Sequence, residues 1–144
     1  MNLVVDTNIV FSTLLNPHSV IGDILMNVQD DVTFFAPEIL KEELKRHADK
    51  IKAYTKLDKH TLSVIEDLVL SSIHFVSEEL VTEQSWSKAF TLIKDIDEND
   101  TPFIALAIEF NTKLWTGDKK LSEGLTKKGV DMILSTTELI KIIK

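Results

Sequence analysis

Short apolar runs separated by longer amphipathic stretches dominate the pattern of this chain. Five runs of three or four residues are rich in β-branched and aromatic side chains, which predicts strands. These runs are residues 3–5, 32–35, 73–76, 113–116 and 132–134. Short strands that alternate with helices are typical of a parallel sheet covered on both faces. The pattern therefore predicts an α/β fold, and the lack of a repeat or linker predicts one domain over residues 1–144.

Helices are predicted wherever apolar residues recur every three or four positions between the strands. The predicted helices are residues 8–15, 18–28, 36–51, 59–70, 85–93, 100–110, 119–126 and 138–143. We expect Thr136 and Thr137 to cap the last of them. On a parallel sheet, ligand sites form outside the carboxyl ends of the strands. We therefore expect functional residues directly after the predicted strands.

Composition excludes several classes of protein. The 144 residues contain no cysteine, which excludes a disulfide scaffold, a thiolate metal site and a cysteine nucleophile, and favours a reducing, cytoplasmic environment. No apolar run is long enough to span a membrane, and the first residues do not have the pattern of a signal peptide. The net charge of −7 argues against a protein that coats nucleic acid through charge alone.

Two aspartates follow predicted strands. Asp6 ends the first strand, and Asp118 lies two residues after the fourth, in a Thr-Gly-Asp turn. Because the carboxyl ends of parallel strands lie at one edge of the sheet, we expect both carboxylates at the edge where ligands bind. The alternative is that each aspartate only caps the helix that follows it.

A third acidic feature precedes the helix predicted at residues 100–110. Four of the six residues from Asp95 to Asp100 are acidic, and Asp97 and Asp100 are three positions apart, a spacing that places them on one helical face. Negative charge at a helix N-terminus is stabilised by about 0.3–1 kcal/mol per residue, but crowded carboxylates also repel each other. A divalent cation would relieve that repulsion, while a solvated acidic cap is the alternative.

The fourth acid comes from the pair Glu42 and Glu43. Successive helical residues are about 100° apart, so the two cannot face the same way. Glu43 falls beside the apolar face that includes Leu40 and Leu44, whereas Glu42 falls opposite. We therefore expect Glu43 to face an inward site, with Glu42 as the alternative if the helix is rotated.

These carboxylates predict a cation site. Asp6, Glu43, Asp100 and Asp118 are oxygen donors on separate elements, with no cysteine or histidine cluster beside them. Such a donor set suits Mg²⁺ or Mn²⁺ rather than Zn²⁺. Ions held in this way over a phosphodiester can activate water and stabilise the leaving oxygen.

Four segments in this order resemble the PIN domain. They are VVDTN at residues 4–8, Glu43-Leu44, DENDTPFIALA at residues 97–107 and LWTGD at residues 114–118. The resemblance implies a three-layer α/β/α sandwich with a central, mainly parallel sheet. It also implies a Mg²⁺- or Mn²⁺-dependent endoribonuclease, as in the VapC toxins of toxin–antitoxin pairs, or a nuclease of RNA-processing machinery.

The resemblance also assigns roles to residues. Asp6, Glu43, Asp100 and Asp118 would be catalytic acids that bind the metal, Asp97 a further metal ligand, and Asn8 and Thr116 polar supports. RNA would be the substrate, and an antitoxin protein and a second copy of the chain would be the partners found in the family. A PIN-like module that binds RNA or protein without cutting is the alternative. An aspartyl phosphotransferase is disfavoured, because position 8 is Asn rather than a second acid.

Basic residues surround the proposed acids in sequence. Residues 41–60 contain seven basic against four acidic residues, and two lysines directly follow Asp118. Lys45, Arg46, Lys119 and Lys120 are predicted to contact the RNA backbone, with solvated helix faces as the alternative. Tyr54 is a candidate for stacking on a base, and Trp115 is expected in the core.

Overall fold

The computed structural model describes residues 1–143. Its five parallel strands are Asn2–Val5 (β1), Thr33–Pro37 (β2), Ile73–Val76 (β3), Lys113–Trp115 (β4) and Ile133–Leu134 (β5). Their order in the sheet is β3-β2-β1-β4-β5. The chain thus builds outward from β1 to β3 and then returns to place β4 on the other side of β1. This reversal of strand order between β1 and β4 is where ligand sites form on such sheets, and the predicted parallel sheet is confirmed.

Helices flank the sheet and complete a three-layer α/β/α sandwich, as predicted. The helices in the described part of the chain are Thr7–Leu15 (α1), Val20–Asn27 (α2), Ile39–Arg46 (α3), Ala48–Tyr54 (α4), Lys59–Ser71 (α5), Glu83–Asp97 (α6), Thr101–Glu109 (α7), Lys119–Lys127 (α8) and Thr136–Ile143 (α9). Within residues 1–143, no single helix is long and apolar enough to cross a membrane; α1 and α2 pass that test only as a pair, bent by 109°.

The core lies around the central strand. Leu3, Val4 and Val5 of β1 are fully buried, so this strand has no polar face. Helix α7 packs against β1, β2 and β4 through residues 103–107, all of which are buried. A continuous apolar run in a strand is expected when helices cover both faces of the sheet.

The helix predicted at residues 36–51 is wrong at its start and in its middle. Ala36 and Pro37 belong to β2, because the pairing of β2 with β3 continues until Pro37 lies beside Val76. The helix begins at Ile39 instead. His47 then leaves the helical conformation, with φ −101° and ψ 12°, so two helices replace the predicted one.

The acidic segment is also placed differently from the prediction. Helix α6 continues past residue 93 to Asp97, so Asp95 and Asp97 end one helix rather than begin the next. A 3-10 turn at Glu98–Asp100 then leads into α7. The macrodipole of α6 does not stabilise the Asp95 and Asp97 carboxylates, because both lie at the C-terminal, negative end of that helix.

Ser135, not Thr136 or Thr137, caps α9. The hydroxyl of Ser135 accepts a hydrogen bond from the backbone N–H of Glu138, and the Glu138 carboxylate accepts one from the N–H of Ser135. This reciprocal pair is a capping box. Thr136 lies inside the helix, and its hydroxyl accepts a hydrogen bond from the indole N–H of Trp115.

Candidate active site

A cleft of about 280 Å³ lies at the carboxyl edge of the sheet, beside the ends of β1 and β4. Its walls are formed by Asp6, Thr7, Asn8, Phe11, Glu43, His47, Lys50, Asp100 and Asp118. The four acids predicted from the sequence therefore lie in one place, although they are separated by up to 112 positions in the chain.

Asp6 is the most deeply buried of these acids, with 6% of its surface exposed. One carboxylate oxygen accepts a hydrogen bond of 2.8 Å from the N–H of Thr7, which caps α1. The other accepts hydrogen bonds from the Thr116 hydroxyl at 2.6 Å and from the Asn8 amide at 3.3 Å. Asp6 therefore caps α1 and is also the centre of a polar network at the carboxyl edge of the sheet.

Thr116 connects the two strand ends. Its hydroxyl donates its single hydrogen to Asp6 and accepts hydrogen bonds from the Asn8 amide and from the N–H of Asp118. The Asn8 side-chain oxygen in turn accepts a hydrogen bond from the N–H of Gly117. A hydroxyl can donate once and accept twice, so every hydrogen-bonding position of Thr116 is used. This network fixes the turn after β4 against the end of β1.

Asp118 caps α8 through one oxygen, which accepts a hydrogen bond of 3.1 Å from the N–H of Leu121. The second carboxylate oxygen of Asp118 accepts no hydrogen bond from any group in residues 1–143. Because the residue is only half-buried and lines the cleft, that oxygen is available to a ligand.

Glu43 lines the cleft, and Glu42 is exposed on the other side of α3. The orientation expected from the helical wheel is therefore the one observed. Leu40 and Leu44, which defined the apolar face, are both buried.

Asp100 lines the cleft at the end of the 3-10 turn, immediately before α7. Asp97 is half-buried and does not line it; one of its oxygens accepts a hydrogen bond from the N–H of Asn99. Asp97 is nevertheless close enough to raise the pKa values of Asp6, Glu43 and Asp100 through its charge.

Burial and mutual repulsion raise the pKa values of three cleft acids. Burial is the largest cause in each case, and neighbouring carboxylates add to it. For Asp100, burial followed by repulsion from Asp6, Asp97, Asp118 and Glu43 raises the pKa to about 7. A site in which the carboxylates resist ionisation together is one that a positive ligand would stabilise.

Comparison with known proteins identifies the family of this fold. The family model described as PIN domain matches residues 4–140 of the chain. The chain belongs to the PIN-domain family. The matched residues include all four acids and all five strands, apart from the first two residues of β1.

Two relatives extend the comparison. The chain is 29% identical over 124 residues to the uncharacterized protein MJ1680 of Methanocaldococcus jannaschii. The aligned residues make up 84% of this chain and 73% of that protein. A chain in the crystal structure of VapBC2 from Rickettsia felis, bound to a DNA fragment from their promoter, superposes with a TM-score of 0.65 and 19% identity. That superposition covers 94% of this chain and 98% of the other, and it shows that the two share a fold.

The unpaired oxygens of this PIN domain are concentrated in its cleft. In residues 1–143, two buried side-chain oxygens lack a hydrogen bond of good geometry: Asp100 Oδ2, and Thr7 Oγ1, which nevertheless lies close enough to the Glu43 carboxylate to lower its pKa. Both residues line the cleft. Buried polar atoms are nearly always paired in folded proteins, so the unpaired Asp100 oxygen indicates a position where a ligand supplies the missing contact.

The residues present fit a hard divalent cation. Carboxylate and hydroxyl oxygens are the donors that Mg²⁺ and Mn²⁺ prefer, and the unpaired oxygen of Asp100 is one of them. Across residues 1–143, no three acidic or histidine side chains already surround a single point at metal-binding distance. The acids thus line an open cleft, and an ion bound there would be held by one or two carboxylates with water completing its coordination.

The raised pKa of Asp100 predicts how pH affects stability without metal. Between about pH 4 and pH 7 the folded protein holds a proton on Asp100 that the unfolded chain has released, so stability falls as pH rises through this window. Asp100→Asn should remove this loss and stabilise the metal-free protein by about 1–3 kcal/mol at pH 8, after allowing for solvent screening at this half-buried site. Urea unfolding in EDTA at pH 5 and pH 8 measures it. A gain of the same size at both pH values would contradict the prediction.

The basic residues predicted to contact RNA lie outside the cleft. Lys45 lines a neighbouring groove between α3, α4 and α5. Arg46 is exposed but close enough to lower the pKa of Glu43 through its charge, and Lys119 and Lys120 are exposed in the first turn of α8.

The cleft is also lined by Thr7, Phe11 and His47, which sequence reasoning did not assign to the site, and by Lys50, one of the basic residues that follow Glu43 and were expected to flank the site and hold phosphate. The spacing could have found His47, because on the single helix predicted at residues 36–51 it follows Glu43 by four positions and shares its face.

Proposed function

We propose that this PIN domain is a Mg²⁺- or Mn²⁺-dependent endoribonuclease that hydrolyses RNA phosphodiester bonds. The observation that supports the proposal most strongly is that Asp6, Glu43, Asp100 and Asp118 line one cleft at the strand-order reversal. In the proposal these four acids hold the metal, and Asp97 assists from beside the cleft. A bound ion of this kind supplies a Lewis acid that lowers the pKa of water and neutralises charge on the leaving oxygen.

The remaining polar residues position the acids. Thr116 and Asn8 each donate a hydrogen bond to the same Asp6 carboxylate oxygen, and the Asn8 amide also donates one to the Thr116 hydroxyl. Helix-cap bonds fix one oxygen each of Asp6 and Asp118; Thr116 and Asn8 hold the second oxygen of Asp6, and within residues 1–143 the second oxygen of Asp118 stays without a hydrogen bond. Partners that hold ligand carboxylates in place commonly affect metal affinity by about 10–100-fold.

RNA cleavage by the purified protein tests the proposed activity. We expect a labelled single-stranded RNA to be cut with Mn²⁺ or Mg²⁺ and to remain intact in EDTA, because the acids need the ion to act on a phosphodiester. Binding of RNA without cleavage in either metal would contradict the proposal and favour a PIN-like module that does not cut.

Metal binding should also be visible without any substrate. A ligand that binds only the folded state at 100 times its dissociation constant adds about 2.7 kcal/mol of stability, which corresponds to roughly 5–10 °C in melting temperature for a chain of this size. Millimolar Mn²⁺ should give a rise of this kind in the wild type and a much smaller one in Asp6→Asn. An equal rise in both proteins would indicate that the ion binds elsewhere.

We also propose a toxin–antitoxin role, with an antitoxin protein as partner. The support is the fold shared with a chain of VapBC2 from Rickettsia felis. Growth arrest on expression of the wild type, absent for Asp118→Asn, is the expected result. Cleavage in vitro without growth arrest would instead favour a nuclease of RNA processing.

A further inference from the structure

The cleft has a second wall that is not acidic. Phe11 of α1, His47 between α3 and α4, and Lys50 of α4 line the same cavity as the carboxylates. Phe11 is half-buried, whereas His47 and Lys50 are exposed to solvent. We call these three residues the aromatic–basic wall.

The two rings of this wall pack edge to face. The centroids of Phe11 and His47 are 6.2 Å apart, with an angle of 86° between the ring planes. This arrangement is a favourable one for aromatic pairs. The half-buried ring of Phe11 packs against the core, which gives the pair a fixed position at the cleft.

Lys50 contacts this ring rather than the carboxylates. Its ammonium nitrogen lies 5.7 Å from the centroid of Phe11, within the range of a cation–π contact. Two ion pairs occur among residues 1–143, Lys113 with Asp131 and Lys128 with Asp95, and neither involves the cleft. The charge of Lys50 is therefore not used to neutralise the acids, although it lies in the same cavity.

A cation and an aromatic pair beside a group of acids match the parts of a single RNA strand. Lysine binds phosphate oxygens as a point charge, and aromatic rings stack on bases of any sequence. The carboxylates repel a phosphodiester strand unless cations neutralise them, and Lys50 adds a positive charge in the same cavity besides the proposed metal ion.

We propose that the aromatic–basic wall is the subsite that holds the RNA strand next to the acids. Lys50 contacts a phosphate of the bound strand, and Phe11 with His47 packs against a base. This inference rests on the proposed ribonuclease function, because it takes RNA as the substrate of the same cleft.

Binding of a short fluorescein-labelled single-stranded RNA of mixed sequence tests the wall directly. Fluorescence anisotropy is measured with Ca²⁺ as the divalent ion, and a gel checks that the RNA stays intact. We expect Lys50→Ala to weaken binding about tenfold and to lower the slope of log affinity against log salt by about 0.7, as for the loss of one phosphate contact on a single strand. Phe11→Leu, which keeps an apolar side chain against the core, should weaken binding about five- to tenfold without changing the slope.

Lys52→Ala is the matched control. Lys52 is two positions from Lys50 on the same helix and carries the same charge, but it lines the neighbouring groove instead of the cleft. Its replacement should change RNA affinity less than twofold. Melting temperatures of all variants separate a lost contact from a lost fold.

The possible outcomes separate this inference from the proposed activity. Equal effects of Lys50→Ala and Lys52→Ala on affinity and salt slope would overturn the wall as the RNA subsite. If the wild type cleaves RNA and Lys50→Ala leaves KM unchanged, the ribonuclease function holds and the inference is wrong. If RNA binding depends on Lys50 but no metal supports cleavage, the inference holds and the activity is wrong. No binding of RNA by the wild type would overturn both.

Discussion

Asp118→Asn should lose RNA cleavage by about 100-fold or more while the protein stays folded. The Asp118 oxygen that accepts from the N–H of Leu121 has a direct equivalent in asparagine, which is also a good helix cap. The substitution therefore removes one negative charge from the cleft and preserves the start of α8. Single-turnover cleavage of labelled RNA in Mn²⁺ measures the loss, and circular dichroism confirms the fold.

Asp58→Asn provides the matched control. Asp58 also caps a helix, α5, with one oxygen that accepts a hydrogen bond of 2.8 Å from the N–H of Thr61. It is exposed and does not line the cleft. Cleavage should stay within about twofold of the wild type in this variant. If both variants lost activity equally, or neither did, the assignment of Asp118 to the metal site would be wrong.

Trp115→Ala should destabilise the protein by about 3–5 kcal/mol, the usual range when a large aromatic side chain is removed from a core. Trp115 is completely buried in β4, its ring lies 5.6 Å from that of Phe34, and its indole N–H donates to Thr136. The substitution leaves a cavity and breaks the link to α9. Because domains are stable by only about 5–15 kcal/mol, this loss is a large fraction of the total.

Urea unfolding in EDTA measures the effect, with Trp86→Ala as the control. Trp86 is the second tryptophan of the chain and only partly buried, so its removal should be about half as damaging or less. Trp115→Phe keeps most of the packing and gives a folded protein for measurement if Trp115→Ala does not fold. A similar decrease in the free energy of unfolding for Trp115→Ala and Trp86→Ala would mean that the burial of Trp115 in β4 does not determine the destabilisation.

Local patterns predicted the strands and the edge at which the acids lie. The run from Ile73 to Val76 was predicted with its observed bounds, because a short β-branched and aromatic segment between polar residues has few alternatives. Asp6 and Asp118 were predicted to share an edge because strands in an α/β fold run parallel. The burial of Trp115 was also predicted correctly.

The predicted ends of helices and strands were wrong where a contact between residues distant in sequence competes with a local sequence pattern. Pro37 was predicted to open a helix, but pairing with β3 holds it in the sheet. The spacing of apolar residues does not indicate the break in the helix at His47. The ring of His47 packs against Phe11, which belongs to a different helix. The capping of α9 was assigned to two threonines, although Ser135 immediately before them has Glu138 at the capping-box spacing.

The amino-acid sequence by itself determined the α/β architecture, the family and the acidic residues, because strand and helix periods and short motifs are properties of neighbouring positions. Only the tertiary structure decided which groups share the cleft with those acids. Lys50 rather than Lys45 lies there, and the Thr116 hydroxyl reaches Asp6 across 110 positions. The same packing raises the pKa of Asp100, since burial and the charges of four other acids depend on where distant segments meet in space.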